Sequence, residues 1–161
     1  MNILQASYIV WKLPPYFANI NKRLVKTPKL YFYDTGLLCY LLGIENVQQL
    51  KTHPLRGSIF ENMVLNEVLK SRFNQGKDNN LCFYRENKGS EVDLVSPQSN
   101  KLSIMEIKSA KTFTKDFMRG IKHLEDILGE DIVRSCVVYD GDLESPTLMR
   151  GIYNFRNISD F

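Results

Sequence analysis

The chain has 161 residues, of which 43% are hydrophobic and 24% are charged, a composition typical of one soluble globular domain with or without a small appendage. No apolar run approaches the ~18 residues that a membrane-spanning helix needs, and residues 1–15 lack the features of a signal peptide. The three cysteines lie far apart and fit no zinc-binding spacing, which favours a reducing compartment. We therefore expect a cytoplasmic prokaryotic protein without a membrane partner.

The net charge of +3 is unevenly distributed along the chain. Residues 1–56 carry a net charge of +5, whereas residues 57–161 carry −2. The basic excess lies mostly in residues 19–29 (NINKRLVKTPK), which could contact phosphates or an acidic partner. Its cationic side chains are Lys22, Arg23, Lys26 and Lys29. A solvated loop is an equally weighted interpretation of the same segment.

The first third of the chain predicts short elements. Residues 3–11 are apolar and fit the end of a helix or a strand, and residues 29–33 (KLYFY) favour a strand. A helix is predicted over residues 35–42, with Asp34 as its N-terminal cap. Residues 45–56 are polar and predict a linker. We assign residues 1–56 to a small N-terminal region that ends in this basic linker.

Residues 57–161 predict the main domain. Apolar residues recur at helical spacing from residue 57 onward, and a second helical pattern covers residues 115–128. Period-two alternation or continuous apolar runs predict strands at residues 81–85, 91–95, 102–108, 132–139 and 151–155. The order helix, three strands, helix and one or two strands predicts an α/β fold with a mixed central sheet flanked by helices.

The alternation within residues 91–95 (EVDLV) places two acids on one face of a strand. Residues two apart in a strand share a face, so Glu91 and Asp93 should point the same way. Val92 and Leu94 should both face the opposite layer. We therefore expect apolar side chains on one face of this strand and two acids on the other face.

The strand over residues 102–108 (LSIMEIK) carries a second charged pair, Glu106 and Lys108, on one face. A turn separates this strand from the one that bears Asp93, so a hairpin would bring Asp93 and Glu106 to one edge of the sheet. Glu61, on the preceding helix, is predicted to lean over the same spot.

This grouping of carboxylates predicts a cation site. Several acids in a partly dry site repel each other unless a positive charge compensates them, and hard oxygen ligands suit Mg²⁺ or Mn²⁺. Asp93, Glu106 and the carbonyl of Ile107 are the expected metal ligands, with Glu61 beside them. Lys108 would orient or deprotonate a water, or stabilise charge on a phosphate, which points to phosphodiester hydrolysis. A surface patch of salt bridges is the alternative.

Residues 58–110 (SIFENMVLNEV…FYRENKGSEVDLV…IMEIKSA) resemble the PD-(D/E)XK nuclease superfamily. The resemblance implies a restriction-endonuclease-like core whose metal site is formed by a helix Glu, a strand Asp and an E-x-K strand. The matching residues are Glu61, Asp93, Glu106 and Lys108, and none departs from the pattern.

Residues 26–44 (KTPKLYFYDTGLLCYLLGI) resemble the C-terminal region of prokaryotic predicted AAA+ ATPases, whose tail is a nuclease-like domain of unknown function. That family implies an N-terminal P-loop module followed by a winged-helix element. The chain contains no G-x-x-x-x-G-K-[ST], so we expect ATP to bind only in a missing N-terminal module. Residues 1–12 would then be the tail of the winged-helix part.

The leading hypothesis is a metal-dependent nuclease-like domain that acts on DNA as the C-terminal module of an ATPase. Two alternatives stay open, a non-catalytic module that binds DNA or protein, and an oligomerisation or regulatory element of the ATPase. A homo-oligomer is compatible with the sequence. Arg85 is predicted either to contact a phosphate or to pair with Glu91 or Glu86.

Overall fold

The computed structural model describes residues 2–17, 26–87, 89–147 and 149–158. The helices of these residues are α1 (Asn2–Ala6), α2 (Thr35–Leu41), α3 (Val47–Thr52), α4 (Arg56–Asn74) and α5 (Arg119–Leu128). The strands are β1 (Val10–Leu13), β2 (Lys29–Phe32), β3 (Cys82–Arg85), β4 (Glu91–Gln98), β5 (Lys101–Lys108), β6 (Ile132–Tyr139) and β7 (Arg150–Asn154). Short 3₁₀ turns cover Lys115–Met118, Gly129–Asp131 and Phe155–Asn157.

A five-stranded mixed sheet forms the centre of the molecule, in the order β3-β4-β5-β6-β7. The first three strands form an antiparallel meander, whereas β5, β6 and β7 run parallel, with α5 in the crossover between β5 and β6. The predicted mixed α/β fold, with its order of helix, three strands, helix and two strands, is confirmed. The terminal strand is an edge strand, as predicted.

Helices cover both faces of this sheet. On one face α4 packs Val64, Leu65 and Val68 into a core cluster with strand residues such as Leu94 and Met105. On the other face α5 packs Ile121 and Leu124 into a second cluster, whose strand residues include Val92, Val95, Ile104 and Val137. These side chains are at most 2% exposed, so both faces of the sheet are closed to water.

The N-terminal strands form a separate antiparallel hairpin, with Trp11 opposite Tyr31 and Leu13 opposite Lys29. The chain after β1 continues along the edge of the main sheet, where Phe83 donates its N–H to Pro14 at 3.0 Å and accepts from Tyr16 at 2.7 Å. The hairpin therefore covers the exposed edge of β3 and is anchored to the sheet.

Two asparagines on α4 attach the same hairpin to the helix. The Asn62 amide bonds the backbone of Phe32 twice, accepting from its N–H at 2.8 Å and donating to its carbonyl at 2.9 Å. One turn later, Asn66 donates to the same carbonyl at 2.8 Å and accepts from the Trp11 indole at 2.9 Å. Both asparagines are buried, so these bonds replace water and fix the hairpin against α4.

Two local expectations differ from the structure. Residues 45–56, predicted as a linker, contain α3, whose N-terminus is capped by Asn46 accepting from Gln49 N at 3.0 Å. The expectation that Val92 and Leu94 share a face is wrong, because Val92 packs in the α5 cluster and Leu94 in the α4 cluster. A register shift between β3 and β4 breaks the period-two alternation at this point. No helix in the described ranges is long and apolar enough to cross a bilayer.

Gly120, near the start of α5, lies so close to β4 that an added Cβ would come within 2.0 Å of the Glu91 carbonyl oxygen. We expect Gly120→Ala to destabilise the fold by roughly 1–3 kcal/mol, the cost of overpacking, when unfolding is followed in urea.

Gly57, near the start of α4, is the matched control, because its nearest neighbour to an added Cβ is the Ser109 hydroxyl at 3.8 Å. Gly57→Ala should leave the free energy of unfolding unchanged or raise it by up to about 1 kcal/mol. Equal effects of the two substitutions would contradict the close packing of α5 on β4.

Candidate functional site

The candidate site is a cleft of about 380 Å³ where β4, β5 and the start of α5 meet. Its charged lining includes Glu91, Asp93, Glu106, Lys108 and Arg119. The cleft contains the predicted strand residues of the carboxylate–lysine group, so the sheet does bring them to one place.

Strand β5 contributes Glu106 and Lys108 on one face, as the alternation predicted. The Lys108 ammonium lies 2.5 Å from Glu106 Oε1 and 3.9 Å from Asp93 Oδ2. The other oxygen of Glu106, Oε2, is buried and has no hydrogen-bond partner in the described part of the chain. An acceptor of this kind is costly to bury and is a natural ligand for a cation.

Asp93 lies at the point where β4 and β5 stop pairing through their backbones. The ladder between these strands runs from Gln98 opposite Lys101 to Leu94 opposite Met105. Beyond it, the Asp93 carboxylate accepts the N–H of Ile107 at 2.9 Å. This bond fixes Asp93, which is 6% exposed as a residue, at the inner wall of the cleft.

A second lysine, Lys29 of β2, reaches the same acids from the opposite side. Its ammonium lies 2.9 Å from Glu61 Oε1, 2.6 Å from Glu91 Oε1 and 3.6 Å from Asp93 Oδ1. The Tyr31 hydroxyl, two residues along the same strand, donates to Glu61 Oε1. Asp93 therefore lies between two ammonium groups, one on each side.

Burial dominates the electrostatics of the two inner acids. It raises the pKa of Asp93 above its usual range, and the negative charge of Glu61 raises it further. Burial also raises the pKa of Glu106, and the nearby Asp93 adds to the effect. The cost of burying these two acids is therefore only partly offset by Lys108 and, at Asp93, by Lys29.

The lysines respond in the opposite way. Burial alone would lower the pKa of Lys108, but the carboxylates of Asp93 and Glu106 outweigh burial and raise it. The pKa of Lys29 is raised for the same reason by its acidic neighbours, Glu61 and Asp93 first among them. Both side chains are therefore held as ammonium ions at neutral pH.

Three of the four predicted catalytic residues come together, because Lys108 lies within 4 Å of both Asp93 and Glu106 and the Asp93 charge acts on Glu106. Glu61 belongs to the same network, but it is bound to Lys29 and Tyr31 and reaches Asp93 through Lys29.

Five residues were predicted to bind nucleic acid, and the structure describes three of them, Lys26, Lys29 and Arg85. Lys22 and Arg23 lie outside the described residues, and Lys26 is exposed. Lys29 instead points into the acidic centre, with 18% of its side chain exposed. Arg85 pairs with Glu91 at 2.6 Å, which is the structural alternative predicted for it.

Sequence reasoning missed the place of Lys29 and Tyr31 in this site. The available signal was their spacing, since residues two apart on the strand at 29–33 must share a face. Nothing local in the sequence indicates that this face meets acids more than 30 residues later.

The carboxylates of the cleft are the candidate ligands for a divalent cation. No group of three or more His, Cys, Asp or Glu side chains is arranged to hold a metal ion among residues 2–17, 26–87, 89–147 and 149–158. Two carboxylates, Asp93 and Glu106, remain as ligands, and they fit Mg²⁺ or Mn²⁺ because they are hard oxygen donors whose burial is only partly offset by lysine charge. The unpartnered Oε2 of Glu106 supports this fit.

Comparison with known proteins gives the family. The model of a family described as "Domain of unknown function (DUF4143)" matches residues 56–156. The chain belongs to the DUF4143 family. A second model, described as "Domain of unknown function (DUF8612)", matches residues 1–48. Lys29 and Tyr31 therefore come from outside the DUF4143 match, whereas the other residues of the site lie within it.

Two similar proteins are Uncharacterized protein Mb2031c of Mycobacterium bovis and Uncharacterized protein Rv2008c of Mycobacterium tuberculosis. Each is 32% identical to the chain over 146 residues, which cover 91% of this chain and 31% of the relative. The chain thus spans about a third of the length of these relatives. No solved structure matches the chain.

The raised pKa of Glu106 predicts how stability changes with pH. An acid whose pKa is raised on folding stabilises the native state below its unfolded pKa of about 4.3, and this stability is lost as pH rises through the folded pKa. In buffer with EDTA, the free energy of unfolding should therefore fall between about pH 4 and pH 8, since the folded pKa of Glu106 is raised to about 8. Glu106→Gln should weaken this fall, as measured by urea unfolding.

Glu67→Gln is the control for this experiment, because Glu67 is an exposed acid of α4 paired with Lys70. The free energy of unfolding of Glu67→Gln should depend on pH as it does in the unsubstituted chain. The same slope in Glu106→Gln as in the unsubstituted chain would show that Glu106 is not the strained acid of the site.

Proposed function

We propose that the DUF4143 domain of this chain binds DNA and hydrolyses its phosphodiester bonds with Mg²⁺ or Mn²⁺ held by Asp93 and Glu106. One observation carries the proposal. Two buried carboxylates on adjacent strands lie beside Lys108 at an open cleft, and one of them has an oxygen with no hydrogen-bond partner among the described residues. Burying these charges costs free energy without a compensating cation. A metal ion bound there would offset this cost and could assist phosphodiester hydrolysis.

The fold supports the same proposal at the level of topology. We infer a PD-(D/E)XK core formed by α4, the antiparallel strands β3 to β5, the crossover helix α5 and the parallel strand β6. Asp93 lies on the second strand of this unit, and the E-x-K sequence lies on the third. The sequence resemblance to that superfamily therefore agrees with the spatial order of the elements.

In the proposed reaction, Lys108 acts as a fixed positive charge. A bound metal ion would supply Lewis acidity and lower the pKa of a water molecule. The Lys108 ammonium lies 2.5 Å from Glu106 Oε1 at the cleft, so it is placed to orient a water molecule or to stabilise negative charge on a phosphate. The Asp93 carboxylate faces Lys108 on one side and Lys29 on the other, and these two ion pairs hold Asp93 in place.

DNA binding requires positive charge on the protein surface. Residues 57–161 carry a net charge of −2, so this charge must come from individual basic residues near the cleft. Arg119 lines the cleft and is exposed, and it is therefore placed to meet a phosphate beside the acids. Lys26 is exposed in the basic segment of residues 19–29 and would extend the contact. We further propose that the chain is the C-terminal module of an AAA+-type ATPase that binds ATP elsewhere.

A second candidate function, a non-catalytic module that binds DNA or a protein, is favoured by one observation. Lys29 already contacts three of the carboxylates, and Lys108 contacts the fourth. Two fixed ammonium groups repel a divalent ion and lower its affinity for the site. The two candidates differ in metal binding and turnover.

Asp93→Asn provides the test. The amide keeps the shape of the side chain and an acceptor for Ile107 N–H, but removes the charge that a metal needs. We expect the chain to bind Mn²⁺ in calorimetry and to nick plasmid DNA in Mn²⁺. Asp93→Asn should lose the binding and reduce nicking by at least ~100-fold, the loss typical of removing one transition-state contact.

Asp116→Asn is the matched control, because Asp116 lines the same cleft but is exposed to water. It should bind Mn²⁺ and nick DNA like the unsubstituted chain. Metal binding without nicking would support the non-catalytic candidate. No metal binding by the unsubstituted chain, or equal nicking by Asp93→Asn, would contradict the proposed hydrolysis.

A further inference from the structure

The Lys29 ammonium lies at the point on which three carboxylates converge. Its distances to oxygens of Glu61, Glu91 and Asp93 are 2.9, 2.6 and 3.6 Å. The three acids come from α4 and β4, and they would repel one another without a positive charge between them. Lys29 therefore supplies the positive charge that these three acids require.

The side chain of Lys29 is held there by packing as well as by charge. Its ammonium lies 5.3 Å from the centre of the buried Phe83 ring, which gives a cation–π contact on its apolar side. On the strand, Leu13 faces Lys29 in the hairpin register and is fully buried. These contacts restrain the apolar side of the Lys29 side chain while its ammonium meets the acids.

The hairpin itself is fixed by the bonds already described from Asn62 and Asn66 to the backbone of Phe32. Tyr31 adds a hydrogen bond to Glu61 from the same strand face as Lys29. These contacts anchor β2 at two adjacent residues, Tyr31 and Phe32, and so hold Lys29 of the same strand beside the acids.

We propose that Lys29 is a built-in cation that takes the place of a second divalent ion and limits the site to one metal ion, bound by Asp93 and Glu106. The inference rests on the proposed function and deepens it. It also implies that the DUF4143 site is incomplete without the strand at Lys29–Phe32, which precedes the DUF4143 match. Lys29 is a positioning residue, since it acts on Asp93 and not on the substrate.

The chemical consequence is that Lys29 and the metal ion would balance the charge of different acids. Lys29 neutralises Glu61 and Glu91 and touches one oxygen of Asp93, Oδ1. The other oxygen, Oδ2, faces Lys108 and the Ile107 N–H on the cleft side. A single metal ion on the cleft side would therefore bind acids whose acidic neighbours, Glu61 and Glu91, are already neutralised by Lys29.

The test is to count bound Mn²⁺ per chain by calorimetry, with free Mn²⁺ measured by electron paramagnetic resonance. Lys29→Met keeps the length and apolar stem of the side chain but removes the charge. We expect one ion in the unsubstituted chain and one more in Lys29→Met, in the space between Glu61, Glu91 and Asp93. Adding Glu61→Gln to Lys29→Met should remove the additional ion again.

Lys70→Met is the matched control, because Lys70 is an exposed lysine of α4 that pairs with Glu67 outside the site. It should bind as many ions as the unsubstituted chain. An unchanged number of ions in Lys29→Met would overturn the inference about Lys29, while one ion in the unsubstituted chain would still support the proposed function. The converse result, no ion in the unsubstituted chain and one in Lys29→Met, would support the role of Lys29 and overturn metal binding by Asp93 and Glu106.

A second measurement on the unsubstituted chain keeps the inference testable if Lys29→Met does not fold. In ¹⁵N-lysine-labelled protein, a buried, ion-paired ammonium gives an NH₃⁺ resonance, and Lys29→Arg identifies the one from Lys29 by its absence. We expect this resonance to persist when Mg²⁺ is added to saturation. Its loss on Mg²⁺ addition would show that metal displaces Lys29 and would overturn the inference.

Discussion

The site depends on one physical constraint, which is that carboxylates removed from water must meet positive charge. Asp93 meets this constraint by lying between two ammonium groups, Lys29 on the α4 side of the sheet and Lys108 on the cleft side. Glu106 meets it only in part, because one of its oxygens has no partner among the described residues. The remaining imbalance is the basis for proposing a cation at Asp93 and Glu106.

The same constraint explains why the N-terminal hairpin is built into the domain. Lys29 supplies a charge that the acids of α4 and β4 require, and the hairpin in turn covers the edge of β3. Asn62 and Asn66 fix the hairpin by bonding its backbone, which costs less than burying another ion pair. Stability and site geometry therefore depend on the same few contacts.

Much of the fold follows from patterns that are local in sequence. The alternation in Lys101–Lys108 predicted that Glu106 and Lys108 share a face, and the structure confirms it through their 2.5 Å contact. The face of Val92 was predicted wrongly, because a register shift cannot be read from alternation alone. The contact between Lys29 and Glu61 joins residues far apart in the chain, so only the packed structure reveals it.

The most direct test of this account is a crystal structure of the chain grown with Mn²⁺, with the metal located by anomalous scattering. The account predicts one peak in contact with carboxylate oxygens of Asp93 and Glu106, with Lys29 still bound to Glu61 and Glu91. A peak at the position of the Lys29 ammonium, or no peak in the cleft at saturating Mn²⁺, would contradict it.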